Sequence, residues 1–334
     1  MFHILPRSLF RFLENIYFFF SGLWHILKGN THHDVFVSGY LFFLWIPLLK
    51  LRFHRVLVWK FGIAEEFLLR NIAKDKLKFF FIKGIEKLFL PMADTLVVQS
   101  NGMAKYLRKN FNIYQKPIYK IPCCVDYDLF RFNEIGRKKE RKKLGLTGRF
   151  VVIHIGSGAS WRAKNNIVKV FQAIKSKKEN AFLLIVSPDP IFKELITRNQ
   201  IVDSLIITLP HQEVPKTLWA SDLALLINIS HISTEVASPI KFPEYLAAGL
   251  PIILTGATKE YIDLINNEDL GFILNMRSNK WEYNLFEFIY SLEEKKNLIR
   301  KKAAAIVKKN LSWQCMQEVI RTAFICGNNE WHNR

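Results

Sequence analysis

The sequence predicts an α/β protein with two Rossmann-like, doubly wound domains that face a cleft. Apolar strand-like segments alternate with helical patterns, at a spacing typical of parallel sheets. The alternation stops at a polar segment rich in Lys and Arg, residues 134–148, and restarts at Phe150. The 334 residues, half of them hydrophobic, suffice for two cores. Because such sheets bind ligands beyond the carboxyl ends of their strands, we expect a site in the cleft.

The first run of the pattern predicts four strands and three helices. The strands cover residues 35–37, 55–59, 95–99 and 117–121, and the helices cover residues 8–28, 76–90 and 102–110. Pro91 ends the second helix because proline cannot continue it, and Ser100 with Asn101 supplies a cap for the third. We predict that residues 1–145 form an N-terminal domain.

The second run predicts a larger domain. Its strands cover residues 150–155, 181–186, 205–209 and 223–227, and its helices cover residues 164–176, 188–198, 213–220, 258–266 and 280–309. A glycine-rich turn, Gly156-Ser157-Gly158, follows the first of these strands. We predict a C-terminal domain over residues 146–311. A final capped helix, within residues 312–334, is expected to pack back on the N-terminal domain.

The positive charge is concentrated in the first part of the chain. Residues 1–150 hold 26 Lys and Arg against 11 Asp and Glu, a net charge of +15 out of +19 for the whole chain. Phenylalanines crowd the same part in continuous runs, which favours an anionic membrane surface over a nucleic acid. A basic RNA-binding protein is the alternative. Residues 9–27 are interrupted by Arg11, Glu14 and Asn15, so they predict an interfacial helix rather than a membrane span. Residues 40–49 are too short to span and predict a buried or interfacial segment.

The cysteines and acidic pairs do not indicate a metal site. Four cysteines, of which Cys123 and Cys124 are adjacent, lack both metal-ligand spacing and a disulfide framework, and they fit a reducing cytosol. Asp126-Tyr127-Asp128 reads as a D-x-D motif, but no second ligand accompanies it. We therefore predict no metal and no cofactor.

Residues 238–253 carry the most informative pattern, which reads as loop, short helix, tight turn and buried strand. Lys241 and Glu244 lie at i and i+3, so both project from one helical face near the start of the helix. A lysine beside a helix N-terminus favours phosphate, and a carboxylate accepts hydrogen bonds from a sugar diol. An ordinary αβ unit with a solvated Lys–Glu pair explains the same residues equally well.

Five short motifs, in order, resemble the GT-B-fold glycosyltransferases of the large retaining family 4 type. The motifs are residues 93–103 (ADTLVVQSNGM), 121–130 (IPCCVDYDLF), 152–164 (VIHIGSGASWRAK), 238–249 (SPIKFPEYLAAG) and 312–313 (SW). The resemblance covers about residues 30–326, nearly the whole chain. The resemblance implies a GT-B fold with an acceptor-side N-terminal domain and a nucleotide-sugar-binding C-terminal domain.

The resemblance also implies residue roles. It places the donor's ribose on Glu244 and its diphosphate on Lys164 and on Arg162, which replaces a family arginine at the position of Ser157. The backbone near Pro210 and His211 would meet the base. The expected donor-binding residues are Gly156, Ser157, Gly158, Arg162, Lys164, Pro210, His211, Ser238, Pro239, Lys241 and Glu244. The expected catalytic residues are Glu65, Lys164 and Lys241.

Three departures from the family pattern affect the site. Val236 stands where many members have a sugar-contacting glutamate, and Glu235 is one residue out of register. Phe61-Gly62 replaces a His-Gly pair, which leaves Glu65 and Glu66 as the nearest polar substitutes. The N-terminal domain also lacks the family's first βα portion, so a nucleotide-binding or scaffolding pseudo-transferase is the alternative to an enzyme.

The expected reaction follows from the resemblance. A hexose-type sugar would pass with retention from a nucleoside diphosphate sugar to a lipid-linked or saccharide acceptor, without a divalent metal. Cell-envelope polysaccharide biosynthesis, on the cytoplasmic face of the membrane, is the expected setting. The expected partners are the donor, the acceptor and an anionic membrane surface, with no nucleic acid.

Overall fold

The computed structural model describes Ser21, Trp24, Lys28 and residues 34–325 apart from residues 54 and 71. Apart from Ser21 and Trp24, the interfacial helix predicted over residues 9–27 therefore lies outside the described residues, as does Cys326. No helix in the described part of the chain is long and apolar enough to cross a membrane.

The N-terminal part forms a sheet of four parallel strands in the order β1-β2-β3-β4. The strands are β1 (Asp34–Ser38), β2 (Arg55–Lys60), β3 (Thr95–Val98) and β4 (Ile118–Lys120). The two central strands are almost continuously apolar and buried, as expected for a parallel sheet covered on both faces.

Helices and 3₁₀ turns cover this sheet. They are a 3₁₀ segment (Tyr40–Trp45), α1 (Ile46–Arg52), a second 3₁₀ segment (Ala64–Arg70), α2 (Ala73–Phe89), a 3₁₀ turn (Leu90–Met92) and α3 (Asn101–Phe111). Phe43, Ile46 and Leu49 are buried in the core, so residues 40–49, predicted to be buried or interfacial, contribute packing. The Ser100 hydroxyl caps α3 by accepting the Met103 amide.

The C-terminal part forms a sheet of six parallel strands in the order β10-β9-β8-β5-β6-β7. The strands are β5 (Phe150–Ile155), β6 (Ala181–Val186), β7 (Ser204–Ile207), β8 (Leu223–Leu226), β9 (Ile252–Thr255) and β10 (Gly271–Leu274). The chain moves outward from β5 on one side through β6 and β7, and on the other through β8 to β10. This reversal creates a switch point between β5 and β8, where doubly wound sheets bind their ligands.

Ten α-helices and two 3₁₀ turns, His211–Glu213 and Lys259–Tyr261, make up the other α- and 3₁₀-helical elements of the described chain. The α-helices are α4 (Tyr127–Phe130), α5 (Glu134–Lys143), α6 (Lys164–Lys177), α7 (Ile191–Arg198), α8 (Val214–Ala220), α9 (Ile232–Glu235), α10 (Lys241–Ala247), α11 (Ile262–Glu268), α12 (Trp281–Ile306) and α13 (Trp313–Ile325). A π-helical turn (Val307–Leu311) separates the last two.

The final helix, α13, lies on the N-terminal sheet. Ala323 is fully buried in a small cluster with Val97 and Ile121. The Arg55 guanidinium donates to the Phe324 carbonyl at 2.6 Å. Helix α13 therefore packs against the four-stranded sheet of the N-terminal part.

The two sheets also meet across the cleft. The Ser100 hydroxyl donates to the Val236 carbonyl at 2.5 Å, and the Asn101 amide donates to a Glu260 carboxylate oxygen at 2.8 Å. The Val236 side chain is buried in the N-terminal core. The N-terminal end of α3 thus contacts the segments that follow β8 and β9.

Candidate functional site

Glu244, the one acidic residue of the predicted donor motif at residues 238–249, is 1% exposed. Its two carboxylate oxygens have different partners: Lys241 Nζ lies 2.7 Å from Oε2, and His211 Nε2 lies 3.2 Å from Oε1. His211 itself is largely exposed. A buried carboxylate held between a lysine and an exposed imidazole can exchange the imidazole for ligand hydroxyls without losing its counter-ion.

The glycine-rich turn lies at the carboxyl end of β5, at the switch point. Gly156 has a φ of +150°, a conformation that L side chains rarely adopt. A Cβ on Gly156 would also lie 3.3 Å from an Arg162 guanidinium nitrogen. Both the backbone conformation and the close approach of the Arg162 guanidinium therefore favour glycine at this position.

Gly158 is close to a residue that the sequence reasoning missed. Its amide donates to Asp189 Oδ2 at 3.0 Å, and a Cβ would come within 2.8 Å of the same oxygen. Asp189 follows β6, whose carboxyl end is adjacent to that of β5. In this structure, therefore, an acidic side chain occupies one amide of the predicted phosphate loop.

Arg162 and Lys164 supply positive charge beside this turn. Arg162 Nη1 donates to Asn228 Oδ1 at 2.8 Å, which joins the loops after β5 and β8. Its Nε is buried and has no hydrogen-bond partner among the described residues. Burial lowers the pKa of Arg162 from its ordinary value. Lys164 Nζ folds back onto the Gly158 carbonyl at 2.8 Å.

Tyr245 links the two halves of this arrangement. Its fully buried hydroxyl accepts the Ile155 amide at 3.1 Å, so α10 is fixed to the end of β5. The glycine turn with its cations and the Lys241–Glu244 pair therefore share the carboxyl edge of the six-stranded sheet. The structure thus brings together nearly all of the predicted donor residues.

Ser238 and Pro239 are placed differently from the exposed Ser157 and Pro210. Ser238 Oγ is buried, lies 2.6 Å from the Tyr261 hydroxyl and accepts the Cys123 amide at 3.1 Å. This hydroxyl fastens the interdomain segment to the C-terminal part. The Pro239 carbonyl accepts the Phe242 amide inside α10. For these two residues, the contacts described are internal to the fold.

Glu65 belongs to a separate group on the N-terminal side of the cleft. Lys83 Nζ lies 2.7 Å from its Oε1, and the Tyr106 hydroxyl donates to its Oε2 at 2.6 Å. Burial raises the pKa of Glu65, but the hydrogen bonds from Lys83 and Tyr106 outweigh it and hold the pKa below its ordinary value. Glu65 is therefore an ionised hydrogen-bond acceptor at neutral pH.

A pocket of about 710 Å³ opens beside Glu65 between the two parts of the chain. Tyr106, Asn101 and Lys105 line it from the N-terminal side, and Glu235 lines it from the C-terminal side. Glu235 also pairs with Lys259 at 2.6 Å. The shift in register noted at Val236 therefore places a carboxylate in the cleft and a valine in the core.

Asp126 of the D-x-D motif caps α4 by accepting the Leu129 amide at 3.2 Å. No group of three potential ligands that could hold a metal ion occurs within the described residues.

Several contributing residues could not be found from sequence. Lys83 and Tyr106 stand 18 and 41 residues from Glu65, and only the fold brings them together. Asn228 gave one usable signal, since it directly follows a predicted strand at the sheet edge that binds ligands.

Comparisons with known proteins concern the fold and the N-terminal part of the sequence. The family model described as Glycosyltransferase Family 4 matches residues 2–129. Sucrose-phosphate synthase from Thermosynechococcus elongatus has a TM-score of 0.73 at 17% identity, covering 97% of this chain and 81% of that one. WaaG, a glycosyltransferase involved in lipopolysaccharide biosynthesis, has a TM-score of 0.65 at 14% identity, covering 84% and 80%. A comparison with curated protein sequences finds no match.

A third structure has been solved with ligands. Anabaena HepE in complex with UDP-glucose has a TM-score of 0.65 at 14% identity, covering 87% of this chain and 78% of that one. These matches confirm the predicted GT-B fold. Together with the family match in the N-terminal part, they confirm the predicted resemblance to glycosyltransferases of the family 4 type.

Proposed function

We propose that this protein transfers a sugar from a nucleoside diphosphate sugar, bound on the six-stranded sheet, to an acceptor that enters the cleft. The observation that carries the proposal is the shared position of the cation-bordered glycine turn and the Lys241–Glu244 pair at the switch point. The glycine turn with its cations suits a diphosphate, and the Glu244 carboxylate suits a ribose diol.

The diphosphate would lie against the glycine turn. The buried Nε–H of Arg162 lacks a partner in the described residues, and a buried unpaired donor costs about 1–3 kcal/mol. A phosphate oxygen would remove that cost. Lys164 can release the Gly158 carbonyl and turn toward the same anion, and Lys241 adds a third cation. These groups would stabilise the charge that develops on the leaving nucleoside diphosphate.

The Asp189 carboxylate must leave the Gly158 amide when the phosphate binds there, because this N–H cannot make a full hydrogen bond to both acceptors. Its carboxylate would swing away from the turn, since a phosphate beside it would meet like charge. Asp189 thus favours the turn in its unliganded form. An Asp189→Asn variant should bind nucleoside diphosphate more tightly.

The acceptor would occupy the pocket beside Glu65. The ionised carboxylate, held by Lys83 and Tyr106, can accept a hydrogen bond from an acceptor hydroxyl. Glu235 on the opposite wall can bind sugar hydroxyls in place of the family glutamate that Val236 replaces. The proposed reaction is hexosyl transfer with retention and without a divalent metal. The proposed acceptor is lipid-linked or a saccharide of a cell-envelope polysaccharide, reached from the cytoplasmic membrane face.

Titration calorimetry with UDP and GDP tests the donor site. Glu244→Ala should weaken binding of whichever nucleotide binds by about 1–3 kcal/mol, the usual value of charge-assisted hydrogen bonds. Glu213→Ala is the matched control, because Glu213 and Lys216 form the same i,i+3 pair on an exposed surface. Unchanged affinity in Glu244→Ala, or an equal loss in both variants, would refute the assignment.

A pseudo-transferase that binds nucleotide without transfer is the second candidate. The burial of Val236 in the N-terminal core favours it, because the family's sugar-contacting carboxylate is absent from that position. Turnover of radiolabelled nucleotide sugars, with and without a membrane extract as acceptor, separates the two. Nucleotide binding without product in any combination would favour the pseudo-transferase.

A further inference from the structure

Helix α2 (Ala73–Phe89) exposes an apolar stripe along its whole length. Leu77, Phe80, Phe81 and Leu88 are 71%, 69%, 56% and 68% exposed. With the open Gly84 they stand at positions i, i+3, i+4, i+7 and i+11, which lie on one side of a helix. We refer to these five residues as the α2 stripe. Four large side chains on one face are far from the scattered single hydrophobics of ordinary surfaces.

The charges of the same helix are sorted between inside and outside. Its two acidic residues, Asp75 and Glu86, are buried, and Glu86 pairs with the buried Lys60 at 2.7 Å. The exposed charges are all lysines. They are Lys74, Lys76, Lys78 and Lys87, which the helical spacing places along both borders of the α2 stripe. Among them, only Lys78 has an ion pair within the described residues, at 3.4 Å from Asp75.

We infer that the α2 stripe docks on an anionic lipid surface. An apolar face bordered by lysines suits the boundary between headgroups and acyl chains, where apolar burial and attraction to anionic lipid act together. This inference rests on the proposed membrane location and names its surface. It does not rest on sugar transfer, and it differs from the interfacial segment predicted at residues 9–27.

Charge separates lipid from the other possible occupants. Residues 1–33 carry three Lys and Arg against one Glu, so a lysine-bordered stripe does not complement them. A second copy of the chain would bring the same lysines together, because a two-fold interface pairs identical patches. Anionic lipid provides both the apolar phase and the opposite charge.

Flotation of the full chain with vesicles tests the inference. We expect binding to vesicles of phosphatidylcholine with one third phosphatidylserine, weak binding to phosphatidylcholine alone, and release at high salt. Phe80→Ser with Phe81→Ser should lower the partition coefficient at least about tenfold, since each buried side chain contributes substantially. Lys74→Gln, Lys76→Gln and Lys87→Gln together should lower it about a hundredfold, at about fivefold for each lysine.

Matched controls keep the result specific. Tyr283 and Tyr290 on α12 are each 63% exposed, so Tyr283→Ser with Tyr290→Ser removes equal aromatic surface elsewhere. Lys138→Gln, Lys139→Gln and Lys142→Gln on α5 remove the same charge from another exposed helix. Both controls should float like the unmodified protein. Equal losses in a control and its α2 counterpart would overturn the inference, as would α2 variants that float normally.

Light scattering and thermal unfolding test whether the α2 stripe is instead covered by another part of this chain or by a second copy. If Phe80→Ser with Phe81→Ser changes the oligomer mass or lowers Tm by several degrees, the stripe is buried by this chain or a second copy, and the inference fails. Failure of the unmodified protein to float would also overturn it. Calorimetry with UDP and GDP then reports separately on the proposed function, because the donor residues lie on the other sheet.

Discussion

The four-stranded and six-stranded sheets both bury charged pairs, but they differ in the surface of the helices that cover them. The six-stranded sheet has an apolar core, and the Arg137, Arg141 and Lys296 side chains pair with Asp222 at its rim. The four-stranded sheet buries Lys60 and Glu86 and turns apolar side chains of α2 outward. The second arrangement is the one that the proposed docking on anionic lipid requires.

The buried Lys60–Glu86 pair of the N-terminal part has a structural role. Lys60 ends β2 and donates to the Gly62 carbonyl, and its ammonium lies 4.4 Å from the centre of the Tyr40 ring. Burial lowers the pKa of Lys60 and raises that of Glu86, while their mutual attraction opposes both shifts. The pair therefore fixes the start of the segment that carries Glu65.

Removing one member of this pair should produce the largest effect. Lys60→Met leaves the Glu86 carboxylate buried without its counter-ion, and we expect a loss of about 3–5 kcal/mol in the free energy of unfolding. Urea unfolding measures it. Lys87→Met on the exposed side of α2 is the control. Adding Glu86→Leu to Lys60→Met should restore most of the loss, and a Lys60→Met loss below about 1 kcal/mol would show that the pair is unimportant.

Acid should weaken the six-stranded sheet through His154. Burial, and then the nearby charge of Arg162, lower the His154 pKa from 6.5 to about 3. Below pH 6.5 the unfolded chain binds a proton that the folded chain refuses until about pH 3, so stability falls as the pH falls through this window. Asp222, with its pKa lowered to about 2 by Lys296 and Arg137 despite burial, loses its contribution only below about pH 4.

A His154→Leu variant isolates this effect. Between pH 7 and pH 4.5 the unmodified protein should lose about 2–3 kcal/mol more unfolding free energy than the variant. Chemical unfolding at a series of pH values measures the difference. Parallel curves for the two proteins would contradict a neutral, buried His154.

A Glu65 variant tests whether the two sheets have separate roles in the proposed reaction. Glu65→Gln keeps the shape of the group but removes the charge, so we expect kcat/KM to fall about 10- to 100-fold. The affinity for nucleoside diphosphate should change less than about twofold, because Glu65 contacts Lys83 and Tyr106 rather than the donor residues. If the affinity for nucleoside diphosphate fell as much as kcat/KM, the donor site could not lie on the six-stranded sheet alone, and the proposal would be contradicted.

The smallest effect is expected at Gly84. A Cβ at this position meets nothing within 4 Å, and the residue lies in the interior of α2. Gly84→Ala should therefore raise the free energy of unfolding by about 0.5–1 kcal/mol. Vesicle flotation of this variant should be unchanged or slightly stronger. Destabilisation would mean that another group covers the α2 stripe.

The sequence predicts the six-stranded sheet better than its surroundings. The observed bounds of β5 and β6 equal the predicted ones, because continuous apolar runs between polar turns define buried strands. The sequence analysis does not predict strand β10, which begins at Gly271. In the structure, a Cβ there would lie 2.0 Å from the Ile252 carbonyl oxygen, so close strand packing requires the glycine.

The contacts of the candidate site are likewise predictable from the sequence only in part. Lys241 and Glu244 are close in sequence and meet through helical spacing, so their pairing is predictable. Asp189 reaches Gly158 only because β5 and β6 are neighbours, and Glu65 meets Tyr106 only across the N-terminal fold. Contacts of this second kind depend on tertiary packing and leave no local pattern.

Hydrogen exchange with bound nucleoside diphosphate tests most directly whether the donor lies on the six-stranded sheet. With UDP or GDP, whichever binds, we expect slower exchange in residues 156–164 and 238–247. Residues 62–70 and α2 should exchange as in the free protein. Protection confined to the N-terminal sheet, or no protection with either nucleotide, would contradict the proposed division between a donor sheet and an acceptor-facing sheet.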